Sequence, residues 1–76
     1  MDLLTVKQKL SASWADLEQR SGVSRSNLFK IAHGERGWDV LTGWKLKKLG
    51  VSLDEQVEVM AKRQGWHKLR ATRLAS

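Results

Sequence analysis

A serine or aspartate stands before each short apolar segment of this chain, a glycine closes most of them, and no proline occurs in the 76 residues. Ser and Asp oxygens accept hydrogen bonds from the free N–H groups of a helix's first turn, and glycine enters the left-handed conformation that ends one. The pattern predicts a succession of short helices. Asp2 opens a first helix in which Leu3, Val6 and Leu10 share one side, and Ser11-Ala12-Ser13 breaks it. Ser13 and Asp16 form a capping-box pair, its acid one methylene shorter than the usual glutamate, before a second helix over Trp14 to Ser21 that stops at Gly22. Ser24 opens a third helix, Arg25 to His33, which Gly34 ends. A fourth runs from about Asp39 to Leu49 and is ended by Gly50. Ser52 and Glu55 form a second capping box for a fifth, which reaches about Gln64 with Leu53, Val57, Met60 and Ala61 on its inner face.

No stretch alternates apolar and polar residues strongly enough to argue for a strand. The expected fold is all-α, a compact bundle of about five short helices over residues 1–64, followed by a basic extension over residues 65–76. A chain of this length buries only about 60% of its unfolded surface, so each core side chain matters. Four tryptophans serve so small a core as plugs, or its surface as anchors. There is no cysteine to staple the fold, and nothing points to an oxidising compartment. No apolar run is long enough to span a membrane, and residues 1–12 lack the apolar core of a signal peptide, so the expected location is cytoplasmic.

Net charge is +6, and its distribution says more than its size. Residues 1–58 hold nine bases and eight acids, a net of +1, whereas residues 59–76 hold Lys62, Arg63, Lys68, Arg70 and Arg73 and no acid, a net of +5. A basic end on a balanced body fits a polyanionic partner, nucleic acid or an anionic membrane. Trp66, Leu69 and Arg73 recur at helical spacing within that end, which is either a short amphipathic extension or a disordered tail.

The third helix carries the most information. Leu28, Ile31 and Ala32 recur at i, i+3 and i+4 and point inward, which leaves Arg25, Ser26, Phe29, Lys30 and His33 outside. No acid occurs between Val23 and Gly34, although an ordinary solvated face mixes both signs. Two short helices joined by Gly22-Val23-Ser24, with Val23 tucked beneath, form the pattern of a helix-turn-helix. A helix that enters the major groove needs donors near its N-terminus, no carboxylate facing phosphate, and an apolar group for a thymine methyl.

The segment SWADLEQRSGVSRSNLFKIAHG, together with LGVSLDE at the fourth-to-fifth helix junction, resembles the Cro/repressor-type (XRE-like) helix-turn-helix regulators of phages and bacteria. The likeness runs from residue 3 to about residue 60 and implies a lambda-repressor-like fold. It implies base contacts from Arg25, Ser26, Phe29 and Lys30, and phosphate contacts from Trp14, Asn27, His33 and the loop residue Arg36. Three features depart from the family pattern. Glu18 stands where a small residue is usual, Trp14 replaces a frequent glutamine, and Gly43 and Lys45 interrupt the apolar pattern of the fourth helix.

Blander readings stand beside these. Arg25, Lys30 and Arg36 are also what solvated charges look like, and Phe29 folds back onto the core in the alternative placement. His33 complements the negative end of the third helix's dipole. Trp38 and Trp44 suit core or dimer packing better than DNA. The expected function is a sequence-specific transcriptional regulator, a repressor that binds double-stranded DNA as a homodimer on a pseudo-palindromic operator. One module of this size covers only roughly 600–1,000 Å², too little for useful specificity alone. Helices four and five and the basic end are the expected dimer surface. The alternatives are an antitoxin that regulates its own operon and binds a toxin, and a protein-interaction module working through the Trp-rich face. No nucleophile–base pair, metal-ligand spacing or phosphate-cradling glycine loop occurs, so neither catalysis nor a metal or cofactor is expected.

Overall fold

A computed structural model describes residues 1–65 and holds five α-helices: α1 (Leu3–Leu10), α2 (Trp14–Ser21), α3 (Arg25–Ala32), α4 (Val40–Leu49) and α5 (Leu53–Gln64). No strand occurs among the described residues, so the all-α reading holds. The third helix ends one residue earlier than expected, with His33 as its cap. Trp66, Leu69 and Arg73, and with them the reading of the basic extension, lie outside the described residues.

Capping accounts for the boundaries. Asp2 accepts from the Thr5 amide at 2.9 Å, Ser24 from Asn27 at 3.3 Å and Asp39 from Thr42 at 2.8 Å. Ser13 and Asp16 exchange both bonds of their box, at 3.1 and 3.0 Å. These bonds favour the carboxylate, so three acids sit below their ordinary value: Asp2 through the Thr5 side chain and then its amide, Asp16 through the Ser13 amide, and Asp39 through the Thr42 side chain and amide. The second box closes by half. Ser52 accepts from the Glu55 amide at 3.4 Å, but the Glu55 carboxylate pairs with the Met1 amino group, and the Ser52 N–H donates to the Met1 carbonyl.

α2 and α3 pack on each other, α4 lies against α2, and α5 and α1 close over α3. The core between them is Leu3, Val6, Ala12, Leu17, Val23, Leu28, Ile31, Ala32, Leu46 and Val51, with Trp14, Trp38, Leu49 and Leu53 packed around it. Val23 is buried beneath the α2–α3 turn, as its spacing requires.

Two apolar assignments need correction. Leu10 is exposed at the end of α1, and on α5 Val57 is 40% exposed while Gln56 is completely buried. A glutamine takes the core position because it satisfies two helix ends at once. Its Oε1 accepts from the Leu3 amide at 2.8 Å, in the first turn of α1, and its Nε2 donates to the Ile31 carbonyl at 2.7 Å, in the last turn of α3. The Leu3 amide has no helical partner, and leaving it unmet in the interior costs about 1–3 kcal/mol, whereas the Ile31 carbonyl also accepts the Gly34 N–H at 3.0 Å and takes Gln56 as its second donor.

Gly43 is no defect in α4. A Cβ there would stand 2.9 Å from Trp38 Cδ1, so the missing side chain lets the indole lie close on the helix. Lys45 is half-buried, and its Nζ reaches within 3.8 Å of where a Gly22 Cβ would stand, beside the negative end of α2. Gly34 adopts φ +75°, and a Cβ on it would meet Arg63 Cβ at 2.9 Å and the Val59 carbonyl at 3.0 Å. Glycine is therefore needed here twice over, for the turn and for the approach of α5.

Candidate nucleic-acid interface

Leu28, Ile31 and Ala32 are buried to within a percent of completeness, which sets the rotation of α3. A helix turns about 100° per residue, so Arg25, Ser26, Phe29, Lys30 and His33 must face outward, and all five are exposed. Arg25, Ser26, Phe29 and Lys30 line one hollow with Trp14 and Glu35, open to solvent and about 330 Å³ in volume. The four residues expected to touch bases are thus brought together. The hollow is near the lower limit for small-molecule sites and, being open, suits the edge of a larger partner.

The expected phosphate-contacting residues fall into two groups beside this hollow. Trp14, at the start of α2, packs its inner edge on the core, and its ring meets Phe29 edge-on at 5.6 Å between centroids. Phe29 in turn lies 4.2 Å from the His33 ring at 31°. Lys7 Nζ stands 5.1 Å from the Trp14 ring centre, so a cation abuts the other end of this aromatic row. Phe29 is 45% exposed. It neither folds into the core nor projects freely; it leans on Trp14 with one face to solvent. His33 Nδ1 is 2.9 Å from the Phe29 carbonyl, which uses the ring to close the end of α3. On the other flank, Arg36 Nη1 donates to Asn27 Oδ1, tying the loop after α3 back to its middle.

Arg25 is held at two points. Glu18 of α2 accepts the Arg25 backbone N–H with Oε2 at 2.9 Å and pairs with Arg25 Nη2 through Oε1 at 3.3 Å. The Glu18 carboxylate supplies an acceptor to the first turn of α3, where a backbone donor has no helical partner. Lys30 makes no ion pair among the described residues.

Two acids adjoin the face that carries none along its own stretch of sequence. Glu18 reaches it from α2 and Glu35 from the loop, the latter also 3.6 Å from Arg63 Nη2 of α5. Neither role is visible in local sequence, because the partners lie seven and 28 residues apart.

A second exposed face lies on α4. Val40 is 91% exposed, and Leu41 and Trp44 are more than half exposed on the same side, with Lys48 Nζ 5.1 Å from the Trp44 ring centre. Trp38 is half-buried against the core, so the two tryptophans of this region part ways. Among the described residues no cluster of three metal-ligating side chains occurs, and no helix is long and apolar enough to cross a membrane. Comparison of the chain with protein-family models, curated proteins and solved structures finds no match.

Proposed function

We propose that this chain is a sequence-specific DNA-binding transcriptional regulator, a repressor whose α2–turn–α3 unit is a helix-turn-helix with α3 as the recognition helix. The observation that carries this reading is the division of α3. Its inner side is fully buried, while its outer side gathers an arginine, a lysine, a serine and a partly supported phenylalanine around one open hollow. Arg25 and Lys30 supply donors for guanine O6 and N7, Ser26 adapts to either base, and the Phe29 ring offers an apolar surface to a thymine methyl. In this reading Trp14, which lines the hollow, and Asn27, His33 and Arg36 supply the phosphate contacts, which fix register without reading sequence.

A two-fold homodimer completes the site, with half-sites about 10 base pairs apart. The apolar stripe of Val40, Leu41 and Trp44 supports a dimer through α4, because that much exposed apolar surface on one helix favours a protein partner. The same stripe favours the second reading, an antitoxin whose α4 binds a toxin while α3 binds its operator. Selection of preferred sites from random duplex DNA tests the first reading directly. The expected result is a paired motif with guanine at the position read by Arg25. Absence of any preferred sequence, with binding no weaker at high salt than at low, overturns it.

A further inference from the structure

We propose that Glu18 is a specificity-determining residue that acts through Arg25, holding its guanidinium on the recognition face; this rests on the DNA-binding reading above. The geometry is two-pronged. One carboxylate oxygen takes the Arg25 backbone N–H at 2.9 Å and the other stands 3.3 Å from Nη2 of the same residue. Backbone and side chain of one arginine are therefore referred to a single acceptor on a different helix. The acceptor is firmly based: Glu18 directly follows the fully buried Leu17 of α2, and its side chain is only 34% exposed against 65% for Arg25.

A guanidinium has five donors, and the Glu18 carboxylate stands as an ion-pair partner beside only one of its amino groups. The remaining donors stay free for a two-bond contact with guanine. An arginine that is already ordered loses less side-chain freedom when it makes that contact, and a defined direction sharpens its choice of base. The carboxylate has an opposite effect on affinity. It places a negative charge beside the groove, where phosphates gather, and so weakens binding to every sequence. An acid whose sole task was to cap α3 has a neutral substitute in serine, which caps the Asn27 amide from Ser24. Glu18 thus trades general affinity for discrimination at one base pair.

That pairing of opposite effects separates positioning from mere support. Glu18→Gln keeps a carbonyl acceptor for the Arg25 amide and removes the charge that orients the guanidinium. Site selection and affinities for one preferred and one scrambled duplex are measured for wild type, Glu18→Gln, Arg25→Ala and the double variant, alongside thermal melting. Guanine preference at the Arg25 position is expected to fall about ten-fold in Glu18→Gln. The scrambled duplex should bind as well as before or better, and no further change should appear in the Arg25→Ala background. Glu18→Asp, a methylene too short to span both contacts, should fall between. Unchanged guanine preference in Glu18→Gln overturns the proposal, as does an equal loss at every position tracking a lower melting temperature. If Glu18→Gln does not fold, Glu18→Asp decides by the same two criteria. A wild type that selects no sequence overturns the DNA-binding reading itself, and this proposal with it.

Discussion

The outer faces of α3 and α4 are cut from similar lengths of helix on one core, yet they are finished in different ways. On α3 three of the five outward side chains have a partner within the molecule, Arg25 on Glu18, Phe29 on Trp14 and His33 on Phe29, and Asn27 beside them takes Arg36. Ser26 and Lys30 have no side-chain hydrogen bond or ion pair among the described residues. On α4 an apolar stripe of Val40, Leu41 and Trp44 stands open beside the exposed Lys47 and Lys48, with Val40 almost wholly solvated and the Lys48 ammonium over the Trp44 ring. Polar recognition needs direction, and direction comes from tethering each donor before the partner arrives. Apolar association needs only area removed from water, so its side chains can stay loose until they are covered. The contrast supports the proposed division of labour, with α3 turned to DNA and α4 to a protein partner.

The inner faces should not differ, and this sets the largest effects. Leu28→Ala on α3 and Leu46→Ala on α4 each remove a fully buried side chain. Each should lower stability by about 2–5 kcal/mol in denaturant unfolding, a large share of the roughly 5–15 kcal/mol typical of a domain. A melting temperature near wild type for either would mean that helix is rotated from its described position.

The outer faces should separate. Arg25→Ala with Lys30→Ala should reduce affinity for a selected site by about 1–3 kcal/mol for each bidentate base interaction removed, with melting unchanged. Val40→Ser with Trp44→Ser should leave base preference alone and shift the molecule toward monomer in sedimentation. If instead the α4 pair alters which bases are chosen, the division between the two faces is wrong.

Salt gives a finer cut. Replacing Arg36 with alanine should make log K fall less steeply with log salt, by about 0.9 for each phosphate that the side chain neutralised. The Val40 and Trp44 changes remove no charge, and a changed slope per bound subunit would count against an apolar role for α4.

Acid produces the smallest and most local effect. Asp39 caps α4 and is held below its ordinary value by Thr42, whereas the equivalent bond on α3 comes from the Ser24 hydroxyl, which has no proton to gain. A lowered carboxylate contributes stability above its unfolded value of about 3.9, and the contribution disappears as pH falls through the lower folded value. Protection of the Thr42 amide against exchange should therefore fall before that of Asn27 as the solution is acidified below about pH 4. Equal loss of protection at both amides would show that the cap chemistry does not distinguish the helices.

Helix boundaries were legible because capping is local. Asp2, Ser13, Ser24, Asp39 and Ser52 each bond an amide three residues on, so the residues that decide a helix's start lie within one turn of it. The rotation of α3 was legible too, since Leu28, Ile31 and Ala32 leave one way to face the interior. On α5 the same reasoning chose Val57 over Gln56, because apolar spacing cannot register a polar side chain whose two partners lie 53 and 25 residues away.

The succession of five helices, their caps and the outward set on α3 were determined by residues within a few positions of one another, where hydrogen-bond geometry and helical period leave little choice. Tertiary structure alone decided that Gln56 is core, that Gly43 makes room for Trp38, that Phe29 leans on Trp14, and that Glu18 holds Arg25. Each of these is a choice among side-chain rotamers and helix phases nearly equal in local energy, and packing between segments distant in sequence is what separates them.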